Sequence, residues 1–387
     1  MRLFHIALRR NYTMQRRNVD INNGSYDLSS FSKNKKRRKR RKNGKTSKKK
    51  IILTVVCCVL ALIIGLGACG WIYVNKILNN VTRDTIDLDL IDINSETDAK
   101  FANYTNIALF GLDSRENDDE GRSDAIIILT LDNVHNKIKL TSIARDTLVK
   151  IDGHSDQKIT HAWMYGKATL ALDTINQNFD MNITDYVSMN FYQFADIIDY
   201  IGGVWIDVNS SEMKVMNRDY IPYINKMGIK CDKVKKAGYQ LLSGGQALAY
   251  SRDRYTGSDL ERSSRQREVL IAMYDQVKDM SITKLPKLAE MVLSECSTTL
   301  SNSQMINMAT WVLTKNPTFE QLGLPDESCN AKGTTINTYW VWVYDLTHAS
   351  KKIHDFILET GEYAAQNSSS AASSASKVLR TKYFCIK

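Results

Sequence analysis

Residues 51–74 form an apolar stretch that restricts what the rest of the chain can fold into. Its 24 residues carry no charged side chain, and a helix of that length crosses the hydrocarbon core of a bilayer. A cleaved signal peptide would have a shorter apolar run, followed by a cleavage site of small residues. We therefore expect one transmembrane helix, with the folded domain built from residues outside it.

A strongly basic segment, residues 1–50, precedes this stretch. It contains 18 Lys and Arg against two Asp and Glu, and 13 of the basic residues lie between positions 33 and 50. Because positively charged flanks stay in the cytoplasm, we expect the N-terminus inside the cell and residues 75–387 outside. The tail itself is expected to be disordered and to lie against anionic membrane lipid.

The net charge of +10 comes from this tail rather than from the expected domain. Residues 1–50 carry a net +16, so the rest of the chain carries about −6. A mildly acidic domain argues against nucleic acid as a partner.

Four cysteines follow the membrane stretch. They show no CxxC spacing and no Cys/His cluster, which argues against a zinc site. One disulfide among them is allowed, but its pairing cannot be read from sequence. These residues are Cys231, Cys296, Cys329 and Cys385.

Beyond the membrane stretch, composition divides the chain into three segments. Residues 75–100 are polar and acidic and indicate a stalk, residues 101–361 mix strand and helix patterns, and residues 362–387 form a Ser- and Ala-rich tail. The mixture predicts one α/β/α sandwich domain with a mixed sheet. The predicted strands are 86–90 at a sheet edge, 106–112, 125–131, 137–144, 185–191, 204–208 and 336–344. The predicted helices are 161–179, 193–201, 243–250, 258–280, 282–293, 303–313 and 349–359.

The second and third predicted strands frame a charged loop. Both are short and rich in Ile and Leu, and a loop of this length favours antiparallel neighbours. Asp113 would then follow one strand and Asp124 would begin the next, at the same end of the sheet. Arg115 and Arg122 lie beside them in the loop.

The fourth predicted strand returns to the same end if it also pairs antiparallel. Its continuation supplies Arg145 and Asp146. Carboxylate oxygens suit a divalent cation and guanidinium groups suit an anion, so a phosphate or diphosphate fits both. The alternative is a set of solvated loop ion pairs. We disfavour it because three buried strands deliver all of these side chains to one place.

A second cluster of arginines lies in residues 251–268. The sequence SDLE at 258–261 is a capping box that opens a helix. Arg262, Arg265 and Gln266 share one face of that helix because they are three and four residues apart. We expect this face to bind phosphate, since arginine offers bidentate contacts.

Two further arginines, Arg252 and Arg254, precede the cap and can reach the same region if the loop folds back. Arg267 with Glu268 is interpreted instead as the solvated side of the helix.

Six short motifs occur in order along the chain. They are GLDSR at 111–115, GRSDA at 121–125, SIARD at 142–146, KITHA at 158–162, SRDR at 251–254 and DLERSSRQ at 259–266. Together they resemble the LytR-CpsA-Psr (LCP) family of bacterial cell-wall assembly proteins, well over 100–280 and weakly over 280–361. Ala144 departs from the proline usual in the family, which removes a backbone constraint but no ligand.

The resemblance implies a phosphotransferase. Such proteins move a glycopolymer from a polyprenyl diphosphate carrier to a peptidoglycan sugar hydroxyl and form a phosphodiester. It also implies an LCP-type domain on the outer face of the cell membrane of a Gram-positive bacterium. The implied partners are membrane lipid, lipid-linked glycopolymer and peptidoglycan, with teichoic acid and capsule both open as the polymer.

The resemblance also implies roles for individual residues. Asp113 and Asp124 would hold Mg²⁺, with Mn²⁺ as an alternative. The diphosphate would contact Arg122, Arg145, Arg252, Arg254, Arg262 and Gln266, and the predicted set also includes Arg115, Lys158 and Arg265. The catalytic group would be Arg122, Asp113, Asp124 and Asp146, and the choice of general base among the three acids stays open.

Other catalytic classes lack their motifs. The sequence contains no GxxxxGK[ST], GxSxG or HExxH pattern, so NTPase, serine esterase and zincin sites have no support. His161 is expected to be structural, and the Met-rich residues 305–313 fit core packing better than a groove for the lipid chain. Two alternatives from other classes stay open: a membrane-anchored polyprenyl-phosphate-binding or scaffolding protein without turnover, and a membrane-bound regulator of transcription.

The expected topology has a direct test. Protease added to intact cells after removal of the wall should digest residues 75–387 and spare the basic tail, because positive-inside orientation keeps the tail in the cytoplasm. Immunoblotting with an antibody to each end measures this. Protection of the large fragment would contradict the outside location.

Overall fold

The computed structural model describes residues 82–113, 121–281, 283–336, 338–361 and 363–364. The expected basic tail and transmembrane helix lie outside the described residues, as does nearly all of the C-terminal tail. Among the residues that are described, no helix is long and apolar enough to cross a bilayer.

Thirteen strands are present in the described part of the chain. Seven form one sheet in the order β1-β10-β7-β2-β3-β4-β11, and the others pair as β5-β6, β8-β9 and β12-β13. Their bounds are β1 Thr82–Arg83, β2 Tyr104–Leu112, β3 Ser123–Asp132, β4 Lys137–Ile143, β5 Leu148–Val149, β6 Gln157–Lys158, β7 Asp185–Asn190, β8 Val204–Val208, β9 Gly238–Leu242, β10 Ser297–Thr298, β11 Thr318–Leu324, β12 Lys332–Ile336 and β13 Tyr339–Val343.

The centre of the large sheet is an antiparallel meander. Strand β2 pairs with β3, and β3 pairs with β4, both antiparallel, as predicted. Strands β7 and β11 then add parallel to β2 and β4, respectively, so the sheet is mixed. Apolar residues point to both faces of β3, because helices cover the sheet on both sides.

Helices cover the two faces of the sheet. On one face α2 and α10 pack on a core that includes Phe110, Ile128 and Phe356. On the other face α7 and α9 pack on Ile127 and Leu140, and α3, α6, α8 and the β8-β9 pair build a further core around α7. The bounds are α1 Ser95–Lys100, α2 Thr160–Phe179, α3 Phe191–Ile201, α4 Ser210–Val215, α5 Ile221–Lys226, α6 Gly244–Arg252, α7 Asp259–Lys278, α8 Leu285–Glu295, α9 Asn302–Lys315 and α10 Leu346–Leu358, with a π-helix at Met216–Tyr220 and 3-10 turns at Leu88–Leu90 and Glu327–Cys329.

The predicted capping box of α7 is confirmed. The Ser258 hydroxyl accepts from the backbone N–H of Leu260 at 3.2 Å, and the Ser258 N–H donates to the Glu261 carboxylate at 2.5 Å. The cap fixes where the helix begins, and therefore which turn presents Arg262.

The prediction of an edge strand at residues 86–90 is wrong. The Asp87 side chain accepts from the N–H of Asp89 and closes a 3-10 turn, and the edge strand is β1, just upstream. The carboxylate of Asp87 competes with extended pairing, which the alternating pattern could not show. Strands β9, β11 and β12 were not predicted, nor were the two-residue strands β1, β5, β6 and β10.

Three of the four cysteines after the membrane stretch lie in the described part of the chain, where Cys231 and Cys329 are free thiols. Cys296 and Cys329 are buried and Cys231 is partly exposed. Cys385 lies outside the described residues.

The end of the sheet away from Asp113 holds a fully buried ion pair. Lys139 Nζ lies 2.8 Å from Asp132 and 3.0 Å from Glu359, and it donates to the Ile357 carbonyl at 2.7 Å. All three ammonium protons thus have acceptors. Burial raises the pKa of Asp132, but hydrogen bonds from Lys139 and His135 outweigh this and lower it overall. The lysine occupies the centre of this Asp/His/Glu cluster, which therefore offers little room for a metal ion.

Lys139→Ala should lower the free energy of unfolding by about 3–5 kcal/mol, because it leaves a buried carboxylate without its partner. Urea denaturation of the detergent-solubilised chain measures this. The matched control is Lys287→Ala, which removes an exposed ion pair with Glu290 and should change stability by no more than ~1 kcal/mol. Similar losses in the two variants would contradict the structural role of Lys139.

Candidate anion-binding site

The antiparallel pairing of β2 and β3 brings two acidic residues to one end of the sheet. Asp113 directly follows β2, and Asp124 is the second residue of β3. The N–H of Asp113 donates to the Arg122 carbonyl at 3.1 Å, which closes the base of the loop between the strands. Strand β4 ends at the same place and adds Arg145 and Asp146, as predicted.

A cleft of about 600 Å³ opens at this end. Seven of the predicted site residues line it, and they come from the strand ends, the end of α6 and the first turns of α7. They are Asp113, Asp124, Arg145, Arg252, Arg254, Arg262 and Gln266. The two arginine-rich stretches therefore meet, although more than 100 positions separate them.

Asp124 is the acidic centre of the cleft. One of its oxygens lies 2.5 Å from Arg145 Nη1 and the other lies 3.5 Å from Arg254 Nη2. Burial raises the pKa of the Asp124 carboxyl, but Arg145 and Arg262 outweigh it and hold the pKa below the usual range. A lowered folded-state pKa means that this carboxylate stabilises the fold above its unfolded-state pKa. That contribution is lost as the pH falls through the folded-state value.

Arg262 is only 2% exposed. Its Nη1 lies 2.9 Å from Asp259, and its Nη2 donates to the Asp124 carbonyl at 3.2 Å. Burial lowers the pKa of the Arg262 guanidinium, and the positive charges of Arg254 and Arg145 add to the lowering. The negative charge of Asp259 raises this pKa, but it does not outweigh the lowering. The cleft lining carries four arginines against three aspartates, and Asp259 adds a fourth carboxylate beside them.

Three buried guanidinium nitrogens in the cleft lack a hydrogen-bond partner among the described residues. They are Nε of Arg145, Nη1 of Arg252 and Nε of Arg262. A buried charged donor without an acceptor is costly. These nitrogens therefore suit an anion that supplies acceptor oxygens, such as phosphate or diphosphate.

Arg252 is positioned by aromatic rings. Its Cζ lies 4.2 Å from the centre of the Phe191 ring and 5.4 Å from that of Tyr223. Its Nη1 is 3.6 Å from Asp113. Stacking holds the guanidinium plane while leaving its edge for a ligand.

A second, apolar pocket of about 170 Å³ adjoins the cleft. It lies between the sheet and helices α3, α6 and α7, and its lining includes Leu109, Val187 and Met273. Phe191 and Gln266 line both spaces. An amphipathic ligand could therefore place a charged head among the arginines and an apolar tail in the pocket.

Several predicted residues do not line the cleft. Asp146 pairs with Lys158 Nζ at 2.6 Å, and its other oxygen lies 3.6 Å from Arg145 Nε. Arg122 is exposed at the start of β3. Arg115 lies outside the described residues.

The expectation that Arg265 faces the site is wrong. Its Nε lies 2.9 Å from the buried Glu212, and it also donates to the Asp253 carbonyl and the Thr256 hydroxyl. The three-residue step from Arg262 rotates it toward α4, where a buried carboxylate needs a partner. Arg265 thus supports the loop that carries Arg254.

The interpretation of Arg267 as solvated is also wrong. The residue is 6% exposed, donates to Gln321 at 3.0 Å and bonds the Ser142 hydroxyl. Burial lowers its pKa. Glu268 accepts from the Tyr250 hydroxyl at 2.7 Å rather than pairing with Arg267.

Sequence reasoning missed Asp259 and the cleft aromatics. Asp259 lies within 3.9 Å of Arg145, Arg254 and Arg262, so it orders three arginines at once. Its place three residues before Arg262 on a capped helix was a usable signal. Tyr220, Tyr223 and Tyr255 also line the cleft, and no sequence pattern pointed to them.

The chain is similar in sequence to two proteins described as peptidoglycan teichoic acid transferases. The chain is 36% identical over 179 residues to the polyisoprenyl-teichoic acid–peptidoglycan teichoic acid transferase TagT of Bacillus subtilis, covering 45% of this chain and 53% of that protein. It is 30% identical over 291 residues to the transferase of the same description named TagU from Halalkalibacterium halodurans, covering 73% and 88%.

A solved structure of the B. subtilis protein YwtF (TagT) with bound octaprenyl pyrophosphate lipid is also similar. The TM-score is 0.50 at 25% identity, over 67% of this chain and 92% of the other. The profile of the LytR_cpsA_psr family matches residues 75–355. On these grounds the chain belongs to the LytR_cpsA_psr family.

Proposed function

We propose that this protein moves a glycopolymer from a polyprenyl diphosphate carrier to a sugar hydroxyl of peptidoglycan and forms a phosphodiester. The observation that carries the proposal is the junction of the arginine-lined cleft with the apolar pocket, which share Phe191 and Gln266. A prenyl diphosphate is the class of ligand that fits both. The names of the similar transferases and the pyrophosphate lipid in the similar structure support this assignment.

The arginines would bind the diphosphate. Nitrogens of Arg145, Arg252 and Arg262 lack acceptors in the described structure, and phosphate oxygens would supply them. Such contacts to charged groups contribute about 1.5–3 kcal/mol each. Phosphoryl transfer depends mainly on positioning and charge neutralisation, so this set can serve catalysis without a protein nucleophile.

The site also suits a divalent cation. Asp113 and Asp124 line the same cleft. The Asp113 side chain is 41% exposed and lies 3.6 Å from Arg252 Nη1. Two carboxylates, diphosphate oxygens and water make up the ligand set that Mg²⁺ prefers, and Mn²⁺ could replace it. When bound, the metal would neutralise charge on the phosphoryl oxygens.

The reaction itself is a displacement at phosphorus. The acceptor hydroxyl oxygen forms a bond to the phosphorus that carries the glycan, and the bond from this phosphorus to the bridging oxygen breaks. Polyprenyl phosphate leaves, and the hydroxyl proton passes to a carboxylate. Asp113 is the most accessible candidate, because Asp124 is paired with arginines and Asp146 with Lys158.

The proposal includes a membrane location. A lipid-borne substrate requires the cleft to lie close to a bilayer, and the apolar residues 51–74 would provide a single-pass anchor with the domain outside. Of the two alternatives, a scaffold without turnover would bind the carrier but release no polyprenyl phosphate. A transcription regulator would need the domain inside the cell.

Arg262→Ala should weaken binding of farnesyl diphosphate by about tenfold to a hundredfold, because it removes a buried donor to the anion. Calorimetric titration of the full chain in detergent measures this. The matched control is Arg267→Ala on the same helix, because the Arg267 guanidinium contacts Gln321 and Ser142 and does not line the cleft. The Arg267→Ala variant, where it folds, should keep its affinity for farnesyl diphosphate. Equal affinity in the unaltered protein and folded Arg262→Ala would place the diphosphate elsewhere.

Glycopolymer transfer should stop in excess chelator and return with Mg²⁺ or Mn²⁺, because the proposed reaction needs a divalent cation to neutralise the phosphoryl oxygens. Asp113→Asn and Asp124→Asn keep size but remove charge, so release of polyprenyl phosphate should fall far more than thermal stability. The Glu290→Gln variant controls for general loss of acidic charge, since Glu290 is exposed, pairs only with exposed Lys287 among the described ion pairs, and does not line the cleft. Full turnover in chelator, or in the Asp113→Asn/Asp124→Asn double variant, would refute the metal's role.

A further inference from the structure

Four rings form a continuous row beside β6 and the β12-β13 hairpin. His154 stacks on Tyr165 with ring centres 4.2 Å apart, Tyr165 lies 6.0 Å from His161, and His161 lies 5.1 Å from Tyr339. We call His154, Tyr165, His161 and Tyr339 the aromatic row. The proposed chemistry of the cleft uses none of these residues.

In the aromatic row, the buried His161 ring lies between two partly exposed rings, Tyr165 and Tyr339. His161 is 2% exposed, whereas Tyr165 is 37% and Tyr339 is 44% exposed. The Tyr165 hydroxyl donates to Gln157 Oε1 at 2.8 Å, and His161 Nδ1 lies 2.8 Å from the same oxygen. These contacts lock Tyr165 and His161 in place and leave the two tyrosine rings partly open to solvent.

The aromatic row lies next to the reaction end of the sheet. Strand β13, which carries Tyr339, is held there because the Trp342 N–H donates to the Asp146 carbonyl at 2.8 Å. Asp146 in turn contacts Lys158 at 2.6 Å and Arg145 at 3.6 Å. Arg145 lines the cleft, so β13, Asp146 and Arg145 connect the aromatic row to the diphosphate site.

We propose that the aromatic row is a saccharide-binding platform that holds a pyranose ring of the glycan substrate beside the cleft. A pyranose has an apolar face of C–H bonds that packs on aromatic rings, while its hydroxyl and N-acetyl groups need hydrogen-bonding partners. Rigid, half-exposed tyrosines supply the first requirement, and Gln157 lies beside them for the second. The inference rests on the proposed function, which brings sugars to this end of the sheet.

Two substrates could supply that ring: the peptidoglycan acceptor strand and the first sugars of the lipid-linked donor. Both present the same chemistry, so binding and kinetics must separate them. The exposed pair Trp205 and Tyr239, stacked 5.3 Å apart on β8-β9, provides a control for exposed aromatic surface that has no contact with Asp146.

The platform can be tested with chitotetraose, a soluble chain of N-acetylglucosamine, added to the full chain in detergent micelles. Saturation-transfer NMR should detect binding to the unaltered protein. Tyr165→Ala and Tyr339→Ala should each weaken it by about fivefold to tenfold, while Tyr339→Phe, which keeps the ring, and Tyr239→Ala should not. Affinity for farnesyl diphosphate should stay unchanged in all four variants, which verifies that the fold and the cleft are intact.

Steady-state kinetics then distinguish whether the aromatic row binds the acceptor strand or the donor sugars. A raised KM for a soluble glycan-strand acceptor in Tyr339→Ala, with the donor KM unchanged, would support a platform for the acceptor, and the reverse would support one for the donor. Absence of chitotetraose binding to the unaltered protein would overturn the inference, and so would unchanged binding in both alanine variants. Sugar binding that depends on Tyr339, in a protein that never transfers, would uphold the platform while refuting the proposed function.

Discussion

The antiparallel register of β2, β3 and β4 is the constraint on which the candidate site depends. It places Asp113, Asp124 and Arg145 at one end of the sheet, within contact distance of side chains from distant segments. A slip of one residue in any of these strands would turn its polar end group to the other face. Close packing of Ile128 in one core and of Ile127 in the other opposes such a slip, so packing of the core also sets the geometry of the cleft.

In the part of the chain that the structure describes, buried charged groups have all their hydrogen-bond partners at one end of this sheet and lack some of them at the other. At one end Lys139 has three acceptors, and its charge is matched by Asp132 and Glu359. At the other end buried nitrogens of Arg145 and Arg262 lack acceptors among the described residues. A complete network contributes to the fold, whereas buried donors without acceptors cost free energy. This contrast makes the Asp113 end of the sheet the candidate for ligand binding without reference to any relative.

Helix α7 links the cleft to the rest of the domain. Its first turns present Arg262 and Gln266 to the cleft, while Arg265 holds Glu212 and Arg267 reaches over the sheet to Gln321. The same helix packs on the sheet and on the β8-β9 pair. The anion site is therefore built on an element fixed from several sides, which favours a preformed cleft over one assembled by the ligand.

Local sequence determined much of this protein. Apolar runs bounded by charged loops predicted the three central strands, and the SDLE capping box predicted where α7 begins. From these followed the meeting of two acidic strand ends with Arg145, since consecutive strands joined by loops too short for a crossover helix pair antiparallel. The 3-10 turn after Asp87 could not be predicted in this way, because it depends on a side-chain hydrogen bond and not on a pattern of hydropathy.

Only the tertiary structure decided which way individual side chains face. Arg262 and Arg265 are equivalent by spacing, yet one reaches the cleft and the other a buried glutamate, because the partner at each site comes from a different segment of the chain. Arg267, which the pattern places with solvent, is buried under the sheet edge formed by the unpredicted β11. The aromatic row likewise joins α2 to a hairpin about 175 residues later in sequence. Sequence periodicity reports which residues share a face of one element, but contacts between elements depend on packing, which no local pattern contains.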